Sequence, residues 1–248
     1  MTSRARTSKR AVSPRVARLV RARVSDGSLL CFDLDGPLLD VSERYWRVHA
    51  SAAGLDVGAS HGRARYLALK RWGATDEEIC RRLGIHIAAS EYSARRRALL
   101  EQAEYLAFDR VWKWTGRVLT ILHRAYRIAI VTKRRNAQTY RGQLLATGLR
   151  RLVDAEACEA DVEGHADADK IALIREAERS CSEKAVALVG DTELDVQTAR
   201  NMGLIAIAVS CGLRDRRRLS RARPDVLLDD LSPLPLLLRP HSVRADRE

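Results

Sequence analysis

Two aspartates stand one residue apart in residues 31–40, CFDLDGPLLD, directly after the apolar run at 29–32. Neighbouring carboxylates repel each other, and burial raises a carboxyl pKa further unless a cation neutralises the charge. Mg²⁺ suits such a pair because it prefers oxygen ligands and keeps water and substrate oxygens in its coordination shell. Asp33 and Asp35 therefore indicate metal-assisted or acid–base chemistry at the end of a buried strand.

Polar side chains follow two other apolar runs in the same way. Thr132 and Lys133 follow the run at 128–131, and the segment GDTELD at 190–195 follows the run at 185–189. Lys170 opens a helical pattern upstream of that segment. Loops at the carboxyl ends of parallel strands converge on one crevice. One lysine, one threonine and several aspartates from separated segments are therefore expected to meet.

The elements that carry these residues alternate between strand and helix patterns. Helical patterns, such as those at 170–179 and 194–202, separate the short apolar runs. This alternation predicts an α/β fold with a doubly wound, mainly parallel sheet and helices on both faces. The strand patterns lie at 29–32, 128–131, 185–189, 205–209 and 226–228, with a weaker one at 153–158.

The interval between the first two strong strand patterns is too long for a single crossover connection. Helical patterns fill it, and glycines separate them, which predicts an inserted helical cap. These patterns lie at 43–53, 61–72, 76–83 and 92–107. We expect a basic arm at 1–26, an α/β core domain at 27–40 and 113–238, a cap domain at 41–112 and a tail at 239–248.

The net charge of +12 is concentrated in two segments. Residues 1–24 contain eight arginines and lysines and no acid, which leaves +4 for the rest of the chain, and a second basic cluster lies at 214–223. We interpret the first segment as a solvated arm that leads into a short helix, with Ser13 as its cap and Pro14 at its first position. A transit peptide and an attraction to nucleic acid are the alternatives.

Length and composition limit the class of protein. A chain of 248 residues with 46% hydrophobic composition is long enough for one globular core plus a small accessory domain. No window approaches the roughly 18 to 20 apolar residues that cross a bilayer, so a soluble protein without a membrane partner is expected. Five cysteines without CxxC spacing favour reduced thiols over disulfides or a zinc site, and hence a cytoplasmic location.

The motifs and their order resemble the haloacid dehalogenase superfamily, in its phosphoglycolate phosphatase-like branch. DLDGPLLD at 33–40 resembles the first motif of that family, and VTK at 131–133 resembles the second. Lys170 matches the third motif, a lone lysine, and VGDTELD at 189–195 matches the fourth. The resemblance spans about residues 28–230, and four motifs in order at predicted strand ends are more specific than any one of them.

The resemblance implies a Mg²⁺-dependent phosphatase that hydrolyses a small phosphorylated metabolite through an aspartyl-phosphate intermediate. It makes Asp33 the nucleophile. Asp35 would protonate the leaving oxygen and then take a proton from the attacking water. Thr132 would hydrogen-bond the phosphoryl oxygens, and Lys170 would offset their negative charge.

The resemblance also implies a magnesium site. Its ligands would be the side chain of Asp33, the backbone carbonyl of Asp35 and the side chain of Asp191. Asp195 would support the site through water or through Lys170. Such oxygen atoms are the ligands that Mg²⁺ prefers in proteins.

Residues beside the motifs complete the implied site and depart in part from the family pattern. Gly36 would let the chain turn sharply beneath the substrate, and Lys133 would contribute to substrate binding. Pro37 stands where threonine is most common, which removes a hydroxyl but leaves both aspartates intact. Arg134 and Arg135 are interpreted as surface arginines rather than contacts to an anionic substrate.

Two alternatives to a phosphatase stay open. A phosphomutase acting on a sugar phosphate would keep the same acids, and product analysis separates it from a phosphatase. A catalytically weak family member would act as a binding or regulatory protein, and Pro37 favours this alternative. A dehalogenase is disfavoured because it would not need Asp35. The basic residues of the predicted cap are interpreted as parts of solvated helix faces rather than anion contacts: Arg44, Arg47, His49, Arg63, Arg65 and Lys70.

Overall fold

The apolar runs form the strands of an open sheet in the computed structural model, which describes residues 13–55, 62–162 and 169–238. Six of the strands form one sheet in the order β5-β4-β1-β6-β7-β8, and every neighbouring pair is parallel. All six predicted strands, including the weak one, are confirmed. The strands of the described residues are β1 (Leu29–Phe32), β2 (Leu39–Asp40), β3 (Arg110–Val111), β4 (Arg127–Thr132), β5 (Ala155–Cys158), β6 (Ala185–Gly190), β7 (Ile205–Val209) and β8 (Val226–Leu228).

Helices cover both faces of this sheet. Successive side chains of a strand point to opposite faces. In β1, Leu30 and Phe32 join one hydrophobic core, whereas Leu29 and Cys31 join a second core on the other face. The predicted α/β fold with a doubly wound, mainly parallel sheet is confirmed. The helices of the described residues are α1 (Pro14–Arg21), α2 (Ser42–Ala52), α3 (Arg63–Trp72), α4 (Asp76–Leu83), α5 (Ala89–Leu99), α6 (Ala103–Leu106), α7 (Thr115–Leu122), α8 (Ala137–Ala146), α9 (Lys170–Cys181), α10 (Glu193–Asn201), α11 (Arg216–Arg221) and α12 (Leu234–Leu238).

Strand β1 occupies the centre of the sheet, between β4 and β6. All four of its residues are buried, which is typical of a parallel strand covered on both faces. Because parallel strands end at the same edge, the segments that follow β1, β4 and β6 lie side by side. This arrangement brings Asp33, Thr132 and Asp191 to one edge of the sheet.

Helices α2 to α6 lie between β2 and β3, and these two short strands pair antiparallel, with Leu39 opposite Val111. The strand pair was not predicted, since two residues give no readable alternation. The predicted helix at 76–83 is confirmed. Thr75 and Glu78 form a capping box at its start, and Gly84 ends it in a left-handed conformation.

The prediction of a single helix at 92–107 is wrong. Helix α5 ends at Leu99, and α6 begins only at Ala103. Between them, the carboxylate of Glu101 accepts the backbone N–H groups of Arg135 and Asn136, at 3.0 and 2.8 Å. The chain leaves the helical path where it contacts the loop after β4, and no glycine or proline marks that point.

Helix α1 begins as predicted. The side chain of Ser13 accepts a backbone N–H of the first turn, and Pro14 is the first helical residue. The guanidinium of Arg21 donates to the carbonyl oxygens of Leu236 and Leu237, at 2.9 and 3.0 Å. This part of the predicted arm therefore packs against α12.

Several predicted segments extend outside the described residues, and His61, the first residue of the helix predicted at 61–72, is one residue that does so. Residues 1–12 of the basic arm and the whole tail at 239–248 belong to that group. The predicted domain boundaries stay a prediction. Within the described part of the chain, none of the helices has the length and apolar character needed to span a membrane.

Candidate active site

Asp33 lies at the end of β1, in the middle of the carboxyl edge of the sheet. Its backbone N–H donates to the carbonyl of Val189 in β6 (2.8 Å), and its Oδ2 lies 3.1 Å from Nζ of Lys170. Burial raises the pKa of Asp33 to about 7, since desolvation outweighs the attraction of Lys170 and Asp195 adds repulsion. Lys170 therefore compensates the negative charge of an ionised Asp33 only in part.

Lys170 is the first residue of α9, and its ammonium group lies between two carboxylates. It contacts Asp33 and also forms an ion pair with Oδ1 of Asp195. The other oxygen of Asp195 accepts the backbone N–H and the hydroxyl of Thr192, at 2.9 and 2.6 Å. Although burial alone lowers the pKa of Lys170, the attraction of Asp195 and Asp33 raises it above the usual value. Lys170 therefore remains positively charged beside Asp33.

Asp191 follows β6 and is completely buried. Its Oδ2 accepts the backbone N–H of Leu213, whereas its Oδ1 has no hydrogen-bond partner within the described part of the chain. Burial raises the pKa of Asp191 well above the usual value, and repulsion from Asp33 and Asp195 adds to the rise. One carboxylate oxygen from each of these three aspartates lies within 4.8 Å of the others. A buried, unpartnered carboxylate oxygen in such a group indicates a cation site.

Glycines provide the space that these carboxylates occupy. Gly36 adopts a φ of 108°, a conformation that other residues rarely take. A Cβ added at Gly36 or at Gly212 would overlap the carboxylate of Asp191, and one at Gly190 would overlap Asp195. The all-oxygen donor set and the unpartnered Asp191 oxygen fit Mg²⁺, which needs only a few protein ligands.

The carboxylate of Asp35 binds two arginines instead of joining the other carboxylates. Its Oδ2 lies 2.5 Å from Arg44 in α2, and its Oδ1 lies 2.5 Å from Arg134 after β4. Burial by itself raises the pKa of Asp35, but the attraction of Arg134 and Arg44 outweighs it and leaves the pKa far below the usual value. Asp35 is therefore an ionised carboxylate with both oxygens occupied.

Asp109 completes this buried network, and sequence reasoning missed it. Its Oδ1 lies 3.0 Å from Nε of Arg44, and its Oδ2 lies 3.2 Å from Arg134. The amide of Gln143 also donates to Oδ2, at 2.9 Å. Burial raises the pKa of Asp109 to about 6 despite the attraction of both arginines. No local pattern marks Asp109, because its partners come from other elements of the fold.

The interpretation of Arg44 and Arg134 as solvated arginines is wrong, since their side chains are 0% and 3% exposed. It is also wrong for His49, which is buried with its Nδ1 2.7 Å from the hydroxyl of Tyr92. Arg44 and Arg134 pair with Asp35, and His49 contacts Tyr92 of α5. These polar side chains therefore lie inside the molecule. Arg135, in contrast, is 51% exposed, as a surface arginine should be.

A cavity of about 230 Å³ opens beside Asp33. Thr132, at the end of β4, is buried in its wall, and Nζ of Lys133 lies 3.6 Å from Oε2 of Glu159. Gly36, Asp191 and Asp195 are not among the lining residues. All the predicted site residues therefore lie at one edge of the sheet. Those that line the cavity are Asp33, Asp35, Thr132, Lys133 and Lys170, joined by Arg134.

A family model for haloacid dehalogenase-like hydrolases matches residues 30–209, a range that contains all four motifs. The chain belongs to the haloacid dehalogenase-like hydrolase family. The predicted family is therefore confirmed. Three of the motifs follow the neighbouring strands β4, β1 and β6, and the fourth, Lys170, begins helix α9 beside them.

A curated relative, phosphoglycolate phosphatase of Synechococcus elongatus, is 52% identical over 50 residues. The match covers 20% of this chain and spans about a quarter, 24%, of that relative. Such a partial match does not assign the relative's activity to this member of the family.

Two solved structures share the fold. A haloacid dehalogenase-like family hydrolase from Streptococcus pneumoniae aligns with a TM-score of 0.62 and 19% identity, over 85% of this chain and 97% of its own. Protein Tyrosine Kinase A from Mycobacterium tuberculosis aligns with a TM-score of 0.65 and 21% identity, over 87% of this chain and 100% of its own. One is named a hydrolase and the other a kinase, so the shared fold leaves the reaction to the site.

Proposed function

We propose that this family member is a Mg²⁺-dependent phosphatase that hydrolyses a small phosphomonoester. The observation that supports this proposal most is the buried oxygen of Asp191 that has no partner among the described residues and lies beside the carboxylates of Asp33 and Asp195. The side chains of Asp33 and Asp191 would hold the ion, with Asp195 and the backbone carbonyl of Asp35 in support. Bound Mg²⁺ would neutralise charge on the carboxylates and on the substrate phosphoryl oxygens.

Asp33 is the proposed nucleophile because, among the described residues, it alone both lines the cavity and belongs to the carboxylate group. Its attack on phosphorus forms an aspartyl-phosphate and breaks the bond to the leaving oxygen, which keeps the electron pair of that bond and takes up a proton. The ammonium of Lys170 and the hydroxyl of Thr132 stabilise the phosphoryl charge. Water then hydrolyses the aspartyl-phosphate and releases free phosphate.

Asp35 is the proposed proton carrier, and its contacts limit that role. An ionised carboxylate accepts a proton from the attacking water but has none to give to a leaving oxygen. Both oxygens of Asp35 bind arginines, at 2.5 Å each. These contacts favour a second candidate function, a catalytically weak family member that binds a phosphorylated ligand.

Release of free phosphate from p-nitrophenyl phosphate and from a panel of phosphorylated metabolites tests the proposal. We expect release by the wild type with Mg²⁺ and none with a chelator. Asp33→Asn is expected to lose at least about 100-fold of the activity. Asp229→Asn, at an exposed aspartate paired with Arg216, is the matched control and should behave as the wild type.

The outcomes separate the candidate functions. Equal release by the wild type and Asp33→Asn would contradict the phosphatase. Binding of phosphorylated metabolites by the wild type without turnover would support the weakly catalytic member instead. An isomerised sugar phosphate in place of free phosphate would indicate a phosphomutase. The cytoplasmic location and the small phosphorylated metabolite as partner stay predictions.

A further inference from the structure

The carboxyl end of cap helix α3 is bound to the loop that follows β7. Arg71, in the last turn of α3, donates to the carbonyl oxygens of Ser210 and Gly212, each at 2.6 Å. The backbone N–H of Asp215 donates in return to the carbonyl of Arg71 (2.9 Å). Three hydrogen bonds therefore join Arg71 to this loop, residues 210–215.

The same loop holds the carboxylate of Asp191. The backbone N–H of Leu213 donates to Oδ2 of Asp191, and a Cβ at Gly212 would overlap that carboxylate. The other Asp191 oxygen has no partner among the described residues. The orientation of the carboxylate therefore depends on the loop, and the position of the loop depends on Arg71.

A second connection joins the same helix end to the start of α10. Arg214 donates to the carbonyl of Lys70, and Arg218 donates to the carbonyl of Trp72, each at 3.0 Å. Both arginines also bind the carboxylate of Glu193, the first residue of α10. Cations at a helix carboxyl end are favourable, because they compensate its partial negative charge. The cap is thus joined at one point to both segments that frame Asp191.

We propose that Arg71 is a positioning residue that couples docking of the cap to the affinity of the carboxylate site for a divalent cation. With the cap docked, Arg71 holds the loop and Leu213 orients Asp191. When the cap undocks, the loop loses these bonds and the site loses an ordered ligand. Coupling between two binding events is reciprocal, so the cation stabilises the docked cap by the same factor. The inference rests on the magnesium site of the proposed function, but not on its phosphate chemistry.

Isothermal titration calorimetry with Mg²⁺ measures the coupling directly. Arg71→Met removes the donors and keeps an unbranched side chain, and its Mg²⁺ affinity is expected to be about tenfold weaker. Arg71→Lys keeps a donor and should recover part of the loss. Arg65→Met, at an exposed position of the same helix, is the control with wild-type affinity. Equal Mg²⁺ affinities of the wild type and Arg71→Met would overturn the proposal.

Hydrogen exchange tests the reciprocal effect on the wild-type protein, so it does not depend on the folding of an Arg71 variant. Saturating Mg²⁺ is expected to slow amide exchange in α3 and in residues 210–215, and to have no such effect in Asp191→Asn. Unchanged exchange in the wild type, or no Mg²⁺ binding by it, would overturn the coupling. A protein that binds Mg²⁺ but releases no phosphate would contradict the proposed function, while the measured affinities still decide the role of Arg71.

Discussion

Protonation of His49 is expected to destabilise the cap as the pH falls. The ring is buried among the helices between β2 and β3, the predicted cap, with Nδ1 2.7 Å from the hydroxyl of Tyr92. Burial lowers the pKa of His49 from 6.5 to about 4. Repulsion from Lys70 and Arg96 adds to the lowering, and the attraction of Asp76 opposes it.

The size of the effect follows from these two pKa values. The unfolded chain takes up a proton at His49 below pH 6.5, whereas the folded protein does so only below about pH 4. His49 therefore costs nothing above pH 6.5, and stability is lost progressively as the pH falls from 6.5 to 4. A pH of 5 lies about 1.5 units below the pKa of His49 in the unfolded chain, and each unit corresponds to about 1.4 kcal/mol. The free energy of unfolding is therefore about 2 kcal/mol lower at pH 5 than above pH 6.5.

Urea denaturation at pH 7.5 and at pH 5 measures this loss. Intrinsic tryptophan fluorescence follows the unfolding, and Trp46, whose ring lies 5.6 Å from that of His49, contributes to the signal. His49→Asn keeps a polar atom near the position of Nδ1 and removes the titration, so it should lose about 2 kcal/mol less than the wild type between the two pH values. His86→Asn, at an exposed cap position, should lose as much as the wild type. Equal losses in the wild type and His49→Asn would refute the reasoning.

Two further predictions concern residues in and beside the cavity at Asp33. Gly36→Ala is expected to lower Mg²⁺-dependent phosphate release about 100-fold, because the added Cβ displaces the Asp191 carboxylate. Gly142→Ala, where a Cβ meets nothing within 4 Å, should leave release unchanged, and equal effects would contradict the steric argument. Arg134→Gln is expected to lower the free energy of unfolding by about 3 kcal/mol in urea denaturation, because it leaves buried carboxylates short of a cation. Arg135→Gln, at the exposed neighbour, should cost about 0.5 kcal/mol or less, and similar costs at both positions would count against the buried network.

The strands could be predicted from the sequence because a parallel strand that is covered on both faces is a continuous apolar run. Ile205–Val209 is such a run, with all five residues buried. The order of the strands could not be predicted, since nothing in Leu29–Phe32 specifies β4 and β6 as its neighbours. The break between α5 and α6 escaped prediction for a related reason. Glu101 leaves the helix to contact another segment, and that contact exists only in the folded chain.

The candidate site also contains residues that the sequence predicts and residues that it does not. Asp33 and Asp191 could be predicted because polar residues that follow buried strands must meet at one edge of the sheet. The sequence did not predict the buried positions of Asp109, Arg44 and Arg134. A charged residue is usually exposed unless it is paired, and the sequence does not show its partner. Their burial depends on mutual pairing between α2, the segment before β3 and the loop after β4. Charge compensation across the fold is therefore the part of the site that a single sequence conceals.

The helical segment between β2 and β3, the predicted cap, contacts three loops at the carboxyl edge of the sheet. Arg44 binds Asp35 in the loop after β1, Glu101 binds the loop after β4, and Arg71 binds the loop after β7. A cap that only excluded water would contact the edge of a site that is already complete. Arg44 instead compensates the charge of Asp35, and Arg71 binds the loop that holds Asp191. Under the proposed coupling, docking of the cap would complete the site in the same step that closes it. Substitutions on the cap are for this reason expected to alter proton transfer and metal binding separately, according to which loop they release.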